Sequence, residues 1–148
     1  MLETRFTDLD ELIVERTGKS VARLFDEAGE PAFRAIETDL AREVLAGEPL
    51  IFSPGGGFFL DPENRREALE RAFVIYLHVS PSVAARRIGS ADGRPLLKGF
   101  DITLRLAQLL QQREASYLQA PSKVSTDRLG PEQVADRIAV LARSDGDW

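Results

Sequence analysis

Two rhythms alternate along the chain: short continuous apolar runs, and longer stretches whose apolar positions keep helical spacing. An extended stretch around residues 4–7 runs straight into Asp8-Leu9-Asp10, after which Leu9, Leu12 and Ile13 predict a helix to Arg16 that Gly18 stops. Ser20 caps a second, short helix with Val21, Leu24 and Phe25 inward. Pro31 then opens a longer helix whose inner face is Phe33, Ile36, Leu40 and Val44, closing at Gly47. Residues 50–53 form a short apolar strand leading into Gly55-Gly56-Gly57, and Asp61-Pro62 starts a helix to about Arg71. Residues 73–79 are almost continuously apolar, the pattern of a strand buried on both faces. Ser80-Pro81 begins a helix to Arg86-Arg87, and periodicity then fails across residues 88–100, which carry Gly89, Gly93, Pro95 and Gly99 and read as a mobile loop. Asp101 caps a long helix with Ile102, Leu106, Leu109 and Leu110 inward, ending near Tyr117. A short strand at Val124 and a closing helix from Pro131 to Arg143, with Val134, Ile138 and Leu141 inward, complete the pattern before a frayed tail to Trp148. Strands alternating with helices call for an α/β fold, a parallel sheet covered on both faces by right-handed crossovers. In such sheets ligands bind beyond the carboxyl ends of the strands, where Asp8, Asp10 and the glycine run should meet.

The bulk properties narrow the partners. A chain of 148 residues fits one domain, 1–148, with a core of its own. Cysteine is absent, which excludes disulfides, thiolate metal sites and a cysteine nucleophile. The net charge is −5 and the basic residues are scattered, so no nucleic-acid surface is expected and any anion must be held by a few placed arginines. Neither a leader-like apolar stretch nor a membrane span is expected, and a cytoplasmic setting fits.

Several residues could carry chemistry. Three adjacent glycines let a ligand approach the backbone and let N–H groups point at an anion, although a turn after a strand uses the same residues. Asp8 and Asp10 follow a strand end, where one could serve a metal or its water and the other a substrate hydroxyl; as a helix cap they would be ordinary. Arg34 and Glu37 can pair across one helical turn, worth only about 0.2–0.5 kcal/mol on a surface. In a site, Glu37 would orient the Arg34 fork toward a carboxylate. Arg113 is a solvated charge or a second clamp, and Arg87 and Arg94 flank the glycine-rich loop, where a lid would carry phosphate contacts. Gly18-Lys19-Ser20 imitates the end of a P-loop, but Ile13 stands where that motif needs glycine and the segment joins two helices. His78, the only histidine, falls inside the buried-strand pattern and reads as structural.

Taken together, Phe6-x-Asp8-x-Asp10, Thr17-Gly18-Lys19-Ser20, Gly29-Glu30 with Phe33-Arg34-x-x-Glu37, Gly55-Gly56-Gly57, Arg94-Pro95-Leu96-Leu97, and Arg113 with Tyr117 stand in an order and spacing that resembles the shikimate kinase family, from Phe6 to about Leu141. The resemblance implies a three-layer α/β/α, P-loop kinase-like fold and transfer of the ATP γ-phosphoryl group to the 3-hydroxyl of shikimate, in chorismate and aromatic amino-acid biosynthesis. It implies that Asp10 binds the ring hydroxyls and helps deprotonate the attacking one, and that Asp8 lies near Mg2+ through water. Arg34 and Arg113 would hold the substrate carboxylate over the Gly55, Gly56 and Gly57 backbone. Arg94 would reach the transferring phosphate from a lid at 88–100, and Arg87 would pack against adenine. Shikimate and ATP are the implied partners of a monomer.

The chain departs from the family pattern in lacking a proline before Tyr117 and in carrying Pro54 before the glycines. The larger departure is that the family's first, central strand, its P-loop and the helix after it are absent. Such a sheet would keep two strand edges without partners, each unsatisfied group costing about 1–3 kcal/mol if buried. The favoured reading is a shikimate kinase sequence that begins at an internal methionine and, as it stands, lacks the phosphate-binding lysine needed for transfer. A non-catalytic module that binds shikimate or a related carboxylate, and another small-molecule kinase of the same fold, are the alternatives.

Overall fold

The computed structural model describes residues 4–146; residues 1–3 and 147–148 lie outside them. The chain divides into two compact units, Thr4–Arg71 with Ala91–Lys98, and Ala72–Ser90 with residues 99–146.

In the unit that starts at Thr4, strand β1 (Phe6–Asp8) is followed without a break by helix α1 (Leu9–Thr17). Asp8 makes that change of direction possible: it ends the strand, and its Oδ1 accepts the amides of Asp10 at 2.9 Å and Glu11 at 3.3 Å. Leu9 and Ile13 are fully buried on the inner face of α1. Gly18 closes the helix in a left-handed conformation, and Ser20 caps the next by accepting the Arg23 amide. Lys19 pairs with Glu27, so Gly18-Lys19-Ser20 is a helix-to-helix joint, as its context in the sequence requires.

Helix α2 (Val21–Leu45) consists of two helical segments joined at a kink at Gly29, whose φ of 79° and ψ of 169° are not helical. The two helices expected from the sequence are therefore two segments meeting at one residue. Phe25 and Phe33, one from each segment, pack with ring centroids 4.7 Å apart. Strand β2 (Ile51–Ser53) pairs parallel to β1, with Asp8 opposite Ser53. Helix α3 (Gly55–Phe58) and helix α4 (Pro62–Arg71) follow. Asp61 caps α4, and the buried Asn64 of α4 donates to Thr38 of α2 at 2.8 Å. Leu24, Phe33, Leu40, Phe58, Phe59 and Leu97 fill the core, the last from a 3₁₀ turn at Pro95–Leu97 within the expected loop.

In the other unit, β3 (Ile75–His78) leads into α5 (Pro81–Ile88), and α6 (Ile102–Tyr117) leads through β4 (Ser122–Ser125) to α7 (Pro131–Asp145). β3 and β4 are parallel, with Leu77 opposite Val124. Asp101 caps α6 by accepting the Leu104 amide, and Asp127 accepts the Ser80 amide at 2.7 Å, tying the start of α5 to the end of β4. Val124, Ala139 and Ala142 are the buried apolar residues. The tail is more regular than the sequence predicts, since α7 continues to Asp145 and the Gly146 amide still donates to Ala142.

Among the described residues, β2 pairs only with β1 and β3 only with β4, giving two separate two-stranded parallel sheets. This pairing corrects the expectation that residues 73–79 are buried on both faces: β3 spans only four of them, and Leu77 is 45% exposed because a two-stranded ladder cannot be covered on all sides. No helix among the described residues is long and apolar enough to cross a membrane.

Candidate active site

The β1–β2 register sets Asp8 beside Ser53, so the chain leaves both strands at the same level and places Asp10 and the glycine run next to each other. The expected meeting of the acidic pair and the glycines is present. Asp10 lies in the first turn of α1, exposed as a residue, yet its carboxyl is partly shielded. That desolvation, and then the neighbouring Asp8 charge, raise its pKa above the usual carboxylate value, against the opposing pull of Arg34 and Arg94.

Arg34 is held on two sides by carboxylates of its own helix. Its Nη1 donates to both carboxylate oxygens of Glu37, at 3.0 and 2.8 Å, and its Nη2 donates to Glu30 at 3.2 Å. Glu37 is only 2% exposed, and both pairs follow from helical spacing, three and four residues apart. Burial works against the guanidinium charge, but the bonds to Glu37 and Glu30 outweigh it and hold the pKa above its ordinary value. The Arg34–Glu37 pair is legible in the sequence. Glu30, its second acceptor, is not part of the sequence expectation, although its spacing of four from Arg34 is a signal for that pair.

The glycines differ from expectation. Gly55–Phe58 is a helical turn rather than an open loop, anchored by the buried Phe58 and Phe59. Gly55 adopts a φ of +74°, which favours glycine, and a side chain there would point at Asp10 Oδ1 and Glu37 Oε1, 3.8 and 3.9 Å from its first carbon. Asp10, Glu37, Arg34, Gly55 and Gly57 thus form one cluster, with Gly56 between the two glycines on the exposed side of the turn.

Arg94 belongs to the same unit. A cavity of about 340 Å³ opens between Asp10, the first turn of α2 at Ser20, Val21 and Ala22, and Asp92-Gly93-Arg94. A second concavity of about 390 Å³ runs along Asp10, Glu11, Val14 and Glu15, but its acidic rim suits an anionic ligand poorly. Arg87 and Arg113 belong to the other unit. Arg87 is fixed by Thr126, through the hydroxyl at 3.0 Å and the carbonyl at 2.7 Å, and by the Leu129 carbonyl at 3.4 Å. Arg113 lies on α6 one turn before Tyr117, whose ring packs 5.2 Å from that of Tyr76. His78 stands edge-on to Tyr76, with Nε2 4.0 Å from Glu114, in keeping with a structural role.

Parallel β-α-β connections, with carboxylates at a strand end and an ion-paired arginine beside a glycine turn, define an α/β protein with a polar site at the carboxyl ends of its strands. The family model for shikimate kinase matches residues 1–142. Shikimate kinase of Xylella fastidiosa strain 9a5c is 38% identical over 134 residues, covering 90% of this chain and 74% of that protein. Shikimate kinase of Thermus thermophilus is 38% identical over 138 residues, covering 93% and 75%. Among solved structures, shikimate kinase from Acinetobacter baumannii in complex with shikimate superposes with a TM-score of 0.91 at 28% identity, covering 96% of this chain and 80% of that one. Shikimate kinase from Bacteroides thetaiotaomicron gives 0.81 at 31% identity, covering 93% and 81%. The chain belongs to the shikimate kinase family and is a kinase by that membership.

Proposed function

We propose that this kinase transfers the γ-phosphoryl group of ATP to the 3-hydroxyl of shikimate, forming shikimate 3-phosphate, and that the cluster around Asp10 and Arg34 is its shikimate site. The observation that carries the assignment is the Arg34 guanidinium, pre-oriented by Glu37 and Glu30 beside Asp10. Nη1 and part of Nη2 are engaged by the two glutamates, which leaves Nε–H and one Nη2–H for a substrate carboxylate. A second carboxylate-binding role falls to Arg113 by its match to the family motif alone, and the amides of Gly55 and Gly56 form the floor beside Arg34. Asp10 accepts the proton of the attacking hydroxyl and aligns its oxygen for in-line attack; its raised pKa makes it a better base than an ordinary carboxylate. Arg94 brings positive charge to the phosphoryl group as it transfers, and Arg87 faces the adenine.

Mg2+, when bound with ATP, neutralises charge on the phosphate oxygens. Among the described residues no group of three or more His, Cys, Asp or Glu could hold an ion directly. Asp8 fits a water-mediated role, because Oδ1 is committed to capping α1 and the other carboxylate oxygen remains for a bound water. Loop 88–100 acts as the lid, and the protein works as a cytoplasmic monomer.

Titration calorimetry with shikimate tests the site. Replacing Arg34 by alanine removes a charge-assisted contact of about 1.5–3 kcal/mol, so affinity should fall roughly 10- to 150-fold. Asp10→Asn should bind shikimate within a few-fold of the parent. Unchanged affinity in Arg34→Ala would place the site elsewhere.

A further inference from the structure

We infer that Gly57 is a positioning residue: its bare Cα is the seat of the Arg34 guanidinium, and it serves the reaction through Arg34 rather than as part of the surface beneath the substrate. The inference rests on Arg34 being the carboxylate clamp. A first side-chain carbon on Gly57 would overlap Cζ, Nη1 and Nη2 of Arg34. Gly55 is different, because its nearest neighbours leave room for a methyl and its positive φ accounts for the glycine. Gly57 has no such backbone requirement: it lies within α3 and is not among the residues with positive φ. A helical position of that kind ordinarily favours alanine over glycine.

The lack of a side chain at 57 therefore answers to Arg34. The guanidinium has little freedom to move aside, since Glu37, buried, and Glu30 hold it. A methyl at 57 must push it away and loosen its two hydrogen bonds to the buried Glu37 carboxylate. The fold can accept the methyl in itself, because the atoms in its way are the end of a long side chain rather than backbone.

Two comparisons test this, and the first needs no ligand. Gly57→Ala should lower Tm by about 3 °C or more in the parent chain, yet leave it unchanged or raise it by about 1–2 °C when added to Arg34→Ala, where the space is vacated and helix propensity favours alanine. Equal losses in both backgrounds would overturn the inference. If Gly57→Ala alone does not fold, a folded Arg34→Ala/Gly57→Ala double variant supports the inference and an unfolded one refutes it. Arg34→Lys serves as background if Arg34→Ala is itself unfolded.

The second comparison is shikimate affinity by calorimetry. Gly57→Ala should weaken binding at least about tenfold in the parent, but less than about twofold when added to Arg34→Lys, because the two changes act on one contact. Independent, multiplying losses would mean that Gly57 meets the substrate itself. A parent chain that binds no shikimate removes the functional assignment, while the thermal comparison still decides whether Gly57 seats Arg34.

Discussion

Breaking the Arg34–Glu37 pair should have unequal consequences depending on which partner is removed. Glu37 is 2% exposed, whereas the Arg34 side chain is 28% exposed and has Glu30 as a second acceptor at 3.2 Å. Arg34→Ala leaves a carboxylate buried with both hydrogen bonds from its cation gone, the situation in which loss of one partner costs about 3–5 kcal/mol. Glu37→Gln leaves a cation that keeps Glu30, reaches water, and retains one acceptor in the amide oxygen, which limits the loss to about 1–2 kcal/mol. The difference of about 2 kcal/mol corresponds to roughly 4–8 °C in Tm for a chain of this size. Urea titration followed by circular dichroism, with Tm measured in parallel, reads both values. The double variant Arg34→Ala/Glu37→Gln should be more stable than Arg34→Ala alone, since no charge is then stranded. Equal losses in the two single variants, or a double variant worse than Arg34→Ala, would refute this account of the pair.

Further outcomes follow from other groups. Because the folded-state pKa of Asp10 lies above 3.8, its unperturbed value, the stability linked to its proton is fully present below that pH and is lost as pH rises through the folded pKa. Asp10→Asn should therefore gain stability relative to the parent as pH rises from about 3.8 to neutrality; a difference that is flat or shrinks with pH contradicts the electrostatic assignment. Among the described residues the buried Tyr76 hydroxyl has no hydrogen-bond partner, so Tyr76→Phe should be neutral or stabilising by about 1 kcal/mol in denaturant titration, and a clear loss would reveal a partner. Thr38→Val strands the Asn64 side-chain donor and should destabilise by about 1–3 kcal/mol, an effect that disappears when Asn64 is replaced by leucine.

What the sequence makes legible is whatever is encoded within one or two turns. Ser20, Asp61 and Asp101 announce helix starts because capping needs only a side-chain oxygen and an amide two or three residues away. Arg34 and Glu37 announce their pairing because helical spacing fixes it. Asp8 and Asp10 are visible as a pair, but their alternative readings, cap and site, turn out to be divided between them: Asp8 caps, and Asp10 is free to face the cleft. The helical state of Gly55–Phe58 is hidden because glycine has no propensity to signal it, and the buried Phe58 and Phe59 impose it from the core side. The anchoring of Arg87 by Thr126 joins residues 39 positions apart, and no local pattern reports such a contact. Exposure of Leu77 was equally hidden, because an apolar run shows what a strand could bury and not how many neighbours it has.

The break at Gly29 acts as a phase shifter between two apolar stripes. In an unbroken α-helix the nine residues from Leu24 to Phe33 amount to about two and a half turns, which would turn these two core residues toward opposite sides. Phe25 and Phe33 would be separated by about 12 Å of axial rise, instead of packing at 4.7 Å. One non-helical residue resets the rotation, so that the segment lining the cleft and the segment bearing Arg34 and Glu37 both face the same core. The angular setting of the arginine is thus fixed by a joint five positions upstream of it. Shifting that joint by one residue would swing Arg34 by about 100° about the helix axis, with its own helical neighbours unchanged.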